Sequence, residues 1–424
     1  MKPYIAYSKQ ELTFELENVK SLYKIYSDLR LSLDLTRGKP SPEQLDLSND
    51  MLKLSPNETL TMDGVDVRNY GVLGGLPSTK ALFASLLQVE PQNIFVGGNA
   101  SLQLMYDLIA KAYTHGLANS HQPWSKEKTV KFLCPSPGYD RHFHLSLSFS
   151  MELIPIRMNA DGPDIEQIRE HISDPTVKGI WCVPKFSNPD GITYSTQVCE
   201  ALSSLRPAAD DFVLMWDNAY CVHPVYCDET IPNILELCEK NGNPDMPYMF
   251  MSTSKVTFAG NGISAVASSE RNIEYLKKLT GYQTIGYSKV NEYLHVRFLK
   301  DRENVLSHMQ RHADILRPKF DIVLDSLKRE IEPLNIAEWR RPNGGYFVSF
   351  YAMPHTASRI VALCREVGLK LTPAGATYPY NTDPMDSNIR IAPSYPSVEE
   401  LKMAMEVFCV CTRYATLEKL LDLQ

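Results

Sequence analysis

Between about residues 90 and 270, short β-rich runs alternate with helical patterns, and no other feature of the chain narrows its fold as much. The runs are Lys131 to Cys134, Leu153 to Ile156, Gly179 to Val183, Phe212 to Trp216, Tyr248 to Met251 and Ile263 to Ala267. Several are apolar on both faces, as parallel strands must be when helices cover them on each side. The alternation therefore predicts an α/β sheet of mainly parallel strands flanked by helices. At 424 residues the chain exceeds the usual single-domain range, so two domains around one cleft are expected.

From about Ser288 to Ile331 the pattern turns long, charged and helical, with Pro318 as the expected kink or break. After it come a strand candidate at Gly345 to Tyr351, a helix at Ala357 to Val367, a strand at Ile389-Arg390-Ile391 and a long helix from Ser397. These predict a smaller α+β domain, joined in space by the first fifty residues. The expected boundaries are 55–305 for the large domain, with 1–54 and 306–424 forming the small one.

Composition removes several function classes. Forty-three basic against 50 acidic residues give a net charge of -7, which argues against a nucleic-acid surface and fits a cytoplasmic enzyme. The nine cysteines are scattered without CxxC spacing, so reduced core thiols are expected. Cys409-Val410-Cys411, the only close pair, lies in a helical apolar pattern without a His or Cys cluster beside it, and no metal site is expected. Met1 to Gln10 lacks the apolar core of a secretion signal, and no apolar run approaches the ~20 residues that span a bilayer. The sequons at Asn57 and Asn99 carry no meaning without export.

Four segments carry chemistry. Ser252-Thr253-Ser254-Lys255 follows the apolar run Tyr248 to Met251 and precedes the turn Ala259-Gly260-Asn261-Gly262. Burial of a lysine amine lowers its pKa towards the range in which it attacks a carbonyl, although a solvated loop lysine has the same local sequence. Phe212 to Trp216 ends in Asp217-Asn218-Ala219-Tyr220, which aims a carboxylate at the carboxyl edge of a parallel sheet, where ligands gather. An aspartate capping the next element is the plainer alternative. Asn188, in Ser187-Asn188-Pro189-Asp190-Gly191, is either a turn residue or an amide that donates to a phenolate-like oxygen. Asn99-Ala100-Ser101 joins a strand-like stub to a helical pattern, and free N–H groups at such a start can close on a phosphate. It is neither a GxGxxG fingerprint nor a P-loop, so nucleotides are poorly supported.

With these motifs in this order, the sequence resembles the fold type I pyridoxal-phosphate aminotransferases, in particular the aspartate aminotransferase branch. Within that branch it is similar to a bacterial group related to the aminotransferase part of the MocR regulators. The resemblance runs from Thr36-Arg37-Gly38-Lys39-Pro40 to Asn388-Ile389-Arg390-Ile391-Ala392. It implies a seven-stranded sheet in the large domain and pyridoxal 5'-phosphate as cofactor. By the same resemblance, Lys255 forms the internal aldimine and moves the substrate proton, and Asp217 sits on the pyridine nitrogen. Asn188 and Tyr220 bond the ring oxygen, and Tyr139 stacks on the ring. The phosphate falls to Asn99, Ala100, Ser101, Ser252, Ser254 and to Tyr70 reaching across from the neighbouring subunit, which implies a homodimer. Many relatives place an arginine eight positions after the lysine; here that position is Ile263. Arg390 matches the arginine that grips the substrate α-carboxylate, and Gly38 closes the pocket from the other side.

A dicarboxylic substrate needs a second cation, and Lys39 beside Gly38 is the candidate, an exposed loop lysine being the alternative. The expected reaction is transfer of an amino group from aspartate to 2-oxoglutarate in a ping-pong cycle between an amino acid and a 2-oxo acid. A decarboxylase or carbon–sulfur lyase on the same site is the competing enzyme reading. A non-catalytic effector-binding module is the third, disfavoured because the family-like segment at Thr36 leaves no room for a preceding DNA-binding domain.

Overall fold

The computed structural model describes residues 2–55 and 57–423; Met1, Pro56 and Gln424, which fall within the expected terminal segment and domain ranges, lie outside them. The expected sheet is present. Its strands are β1 (Ile94–Val96), β2 (Lys131–Ser136), β3 (Glu152–Asn159), β4 (Val177–Cys182), β5 (Val213–Asp217), β6 (Pro247–Ser252) and β7 (Ser264–Ala267). They lie in the order β1-β7-β6-β5-β4-β2-β3, with the two-residue run Gly162–Pro163 added beside β3 as an eighth strand. The seven-stranded expectation thus falls one short, because a tight turn after β3 folds back on the sheet edge. Pairings among β2, β3, β4, β5 and β6 are parallel, whereas β7 runs against both of its neighbours.

The apolar runs explain this arrangement. Every residue of β4 and β5 is buried, while edge strand β3 alternates between buried and exposed positions. Trp216, Phe250 and Phe132 are almost fully enclosed. Each such side chain contributes on the order of 1.5–3 kcal/mol when taken from water. Strands β1, β2, β4, β5 and β6 point the same way, so the residues that follow them emerge on one edge.

A second, antiparallel sheet is formed by β8 (Ala337–Trp339), β9 (Val348–Ala352) and β10 (Asn388–Ile391). The helices used below are α1 (Lys9–Asp28), α2 (Ser101–Thr114), α3 (Asp140–Ser148), α4 (Lys289–Leu299), α5 (Arg302–Glu330), α6 (Ala357–Glu366) and α7 (Val398–Asp422). Helix α1 packs along α7, where Arg413 Nη2 donates to Glu15 at 2.7 Å, and Leu33–Asp34 pairs with Leu369–Lys370.

The long helical stretch breaks at a place the sequence reading did not choose. Helix α4 ends at Lys300, whose φ is +59°, and Asp301 caps α5 by accepting from Asn304 N at 2.9 Å. Pro318 lies inside α5 and does not end it. A proline removes one backbone hydrogen bond. The buried face of α5, from Val305 through Leu316 and Phe320 to Leu327, holds the helix together across that loss.

Candidate active site

A cavity of about 590 Å³ opens at the carboxyl edge of the large sheet and extends to β10 and residues 36–39. Lys255 stands at its base. The loop that carries it leaves β6 at Ser252 and is tied down by Thr253, whose N–H donates to Ile263 O and whose hydroxyl accepts from Ile263 N, both at 2.9 Å. His223 Nε2 meets the carbonyl of Lys255 at 3.3 Å. The amine lies 5.0 Å from the centre of the Tyr220 ring. Burial lowers its pKa, and the Asp217 charge works in the opposite direction.

Asp217 ends β5 and is 5% exposed. Its Oδ2 accepts from His142 Nε2 at 3.0 Å, since a carboxylate is acceptor-only. The His142 ring is stacked on Trp181 at 4.3 Å with 9° between planes. Oδ1 of the same carboxylate is buried without a partner among the described residues. Tyr139, half-buried, precedes α3 and meets His142 edge-on at 5.0 Å. Burial, helped by the Asp217 and Asp140 charges, pushes its phenol up to about 12. Tyr220 is fully enclosed, and burial raises its phenol well above the ordinary range.

At the other end Arg390, on β10, donates through Nη1 to Asp140 Oδ1 at 2.9 Å and to Asn188 Oδ1 at 3.2 Å, and through Nη2 to Thr372 Oγ1 at 3.3 Å. Its guanidinium carbon sits 4.9 Å from the centre of the Phe347 ring. Asn188 thus commits its carbonyl oxygen to Arg390, and its amide hydrogens take no protein partner among the described residues. Gly38 is needed for space: a Cβ there would fall 2.4 Å from Phe347 Cζ. Lys39 lines the cavity with its Nζ 3.7 Å from the centre of the Tyr395 ring.

The third wall is the start of α2. Ala100 precedes the helix and no side chain among the described residues caps it; Gln103 N donates to Ala100 O at 3.1 Å, and the N–H groups of Ser101 and Leu102 line the wall without a side-chain cap. Ser252 Oγ donates to Ser254 Oγ at 3.2 Å, and Ser254 Oγ donates to Asn99 O at 3.3 Å. Ile263 is buried in an apolar core cluster and does not line the cavity.

The structure gathers Lys255, Asp217, Tyr220, Tyr139, Asn188, Ala100, Ser101, Ser252, Ser254, Gly38, Lys39 and Arg390 around one cavity, with Asn99 behind it. Tyr70 is not among them. It is 81% exposed on the protein surface. Sequence reasoning missed His142, Asp140 and the cavity-lining cations Arg37 and Arg141. The available signal was position: Asp140, Arg141 and His142 directly follow Tyr139, on the first turn of the next helix.

Residues 7–424 match the family described as aspartate amino-transferase. The chain belongs to the aspartate aminotransferase family. It is 44% identical over 405 residues to the aspartate aminotransferase of Corynebacterium glutamicum, covering 95% of this chain and 94% of that one. A protein of Mycolicibacterium smegmatis is 47% identical over 404 residues, 93% of this chain and 94% of its own length. The crystal structure of an aspartate transaminase from Corynebacterium glutamicum superposes with a TM-score of 0.94 at 42% identity, covering 98% of this chain and 99% of that one. More distantly, an HTH-type transcriptional regulator of Bacillus subtilis is 22% identical over 273 residues, 63% of this chain and 53% of that one. Aminotransferases of this fold type use pyridoxal phosphate, and the chain is an enzyme of that type. Among the described residues no helix is long and apolar enough to cross a membrane.

Proposed function

We propose that this aminotransferase binds pyridoxal 5'-phosphate and moves the amino group of aspartate to 2-oxoglutarate in a ping-pong cycle. The observation that carries the reading is Asp217 Oδ1, a buried carboxylate oxygen with no partner among the described residues, in a cavity that also holds a desolvated lysine amine. Leaving such an atom unpaired costs about 1–3 kcal/mol or more, which a protonated ring nitrogen would offset. The uncapped start of α2 and the paired hydroxyls of Ser252 and Ser254 suit a phosphate, so the residues fit the coenzyme.

When bound, the coenzyme supplies an aldehyde and a protonated ring that draws electrons from the substrate α-carbon. The chain supplies the rest. Lys255 would hold the coenzyme and carry the proton at the substrate α-carbon. Asp217, oriented by His142, holds the proton on the ring nitrogen. The free amide hydrogens of Asn188 and the hydroxyl of Tyr220 would donate to the ring oxygen, and Tyr139 would hold the ring. Ala100 and Ser101, with Asn99, Ser252 and Ser254, hold the phosphate. Arg390 receives the α-carboxylate opposite Gly38, and Lys39 the distal carboxylate.

Tyr70 is read as a phosphate contact in the neighbouring subunit of a homodimer. Its exposure supports this, as do the exposed Tyr282 and Ile285 and the packing of Gly286 against Gly71. The cavity then lies between a large domain, 55–305, and a small one formed by 1–54 and 306–424, in a cytoplasmic protein. Incubating the coenzyme-saturated protein with aspartate and 2-oxoglutarate tests the reading: glutamate and oxaloacetate should form together, with parallel double-reciprocal plots. Absence of amino transfer from aspartate, with transfer from other donors intact, would remove the substrate assignment.

A further inference from the structure

Arg390 is 7% exposed and faces an acid of its own chain. Asp140 lines the same cavity, with its side chain 18% exposed and Oδ1 at 2.9 Å from Nη1. The arginine is held by three oxygens from three separate segments: Asp140 at the start of α3, Asn188 in the turn beyond β4, and Thr372. Its Nε has no partner among the described residues. A guanidinium so clamped presents a fixed donor plane to a carboxylate. The clamp also has an electrostatic effect. Two of the three oxygens belong to neutral groups, but Asp140 brings a full negative charge into a poorly solvated pocket, where charge interactions are several times stronger than in water.

We propose that Asp140 is a positioning residue that orients Arg390 and weakens its grip, so that carboxylate ligands bind in the correct plane but are released readily. The inference rests on Arg390 as the receiver of the α-carboxylate. Position and charge are separable, because asparagine keeps the oxygen that accepts from Nη1 while removing the negative charge. A merely structural ion pair predicts that Asp140→Asn loosens Arg390 and weakens ligand binding. A tempering counter-ion predicts the reverse.

The test is calorimetric titration of the holoenzyme with succinate, a dicarboxylate without an amine, alongside KM and kcat for the amino acid. Asp140→Asn should bind succinate roughly fivefold tighter or more, lower KM, and lower kcat where product release limits it. Asp140→Ser is a second variant of the same sign should the first fail to accumulate. Unchanged or weaker succinate binding in the folded variant overturns the inference, as does a wild-type holoenzyme that binds no succinate. Tighter binding in a protein that transfers no amino group from aspartate would leave this role standing while the proposed reaction fell. Normal transamination with succinate binding unmoved would sink this role alone.

Discussion

The floor of the cavity and its rim are built differently. At the floor, Asp217, Tyr220 and Asn188 are buried at strand ends or in the turns that follow, and Asp217 and Asn188 each use one side of the group on a protein partner and leave the other side free. At the rim, Arg37, Lys39 and Arg141 are exposed and have no carboxylate partner among the described residues. Water is excluded from the first region and screens the second. On the proposed reaction the contrast assigns bond-making to a few enclosed groups, each of large effect, and ligand selection at the rim to solvated charges of small individual effect.

Substitutions that cross this divide should differ by orders of magnitude. Lys255→Ala removes the proposed proton carrier at the floor, and turnover should fall by at least ~10²–10⁴-fold while coenzyme is still bound without a covalent link. Retained turnover in that variant, measured after dialysis to remove free amines, would contradict the division. His142→Ala deletes one charge-assisted hydrogen bond to Asp217, worth about 1.5–3 kcal/mol, so kcat/KM should drop roughly ten- to a hundredfold with little change in KM.

The pH dependence of the coenzyme-free protein is a third handle on the floor. Because burial lowers the Lys255 pKa, the unfolded chain holds a proton that the folded one does not, throughout the range between the lowered value and the ordinary lysine value. Stability in that window therefore rises with pH. Lys255→Met should melt higher than the wild type and lose this part of the slope; identical melting curves against pH would show that the amine is not desolvated. The smallest effects belong to the rim. Lys39→Ala and Arg141→Gln should each raise KM for aspartate by less than about fivefold, in line with ~0.2–1 kcal/mol for an exposed charge, and 0.5 M salt, roughly, should shrink the difference. A large, salt-insensitive change in either would move that residue from rim to floor.

Much of the floor was legible because each of its groups follows an apolar strand. Asp217 is the last residue of β5, Lys255 stands three residues beyond β6, and Asn188 lies in the Asn-Pro turn after β4. Element ends were read less well, since they depend on caps and sterics: β3 runs past Ile156 to Asn159, and Asp301 rather than Pro318 sets the helix break. Asp140 and His142 were overlooked because the groups that give them meaning are remote, Arg390 at 250 positions and Asp217 at 75. Within the local run Tyr139-Asp140-Arg141-His142, only the place directly after Tyr139 sets those residues apart from an ordinary solvated first turn.

Hydrophobic pattern and chain order determined a mainly parallel sheet whose apolar runs lead into an amine, a carboxylate and an amide, because burying such runs leaves few other arrangements, and the family resemblance joined those groups into one site. Which side of each group is free was decided only by the tertiary structure. Asp217 keeps one oxygen open, Asn188 commits its carbonyl oxygen to Arg390 and keeps its amide hydrogens free of protein partners among the described residues, and Arg390 is already held by Asp140, because each orientation is set by a partner brought close only when the chain folds.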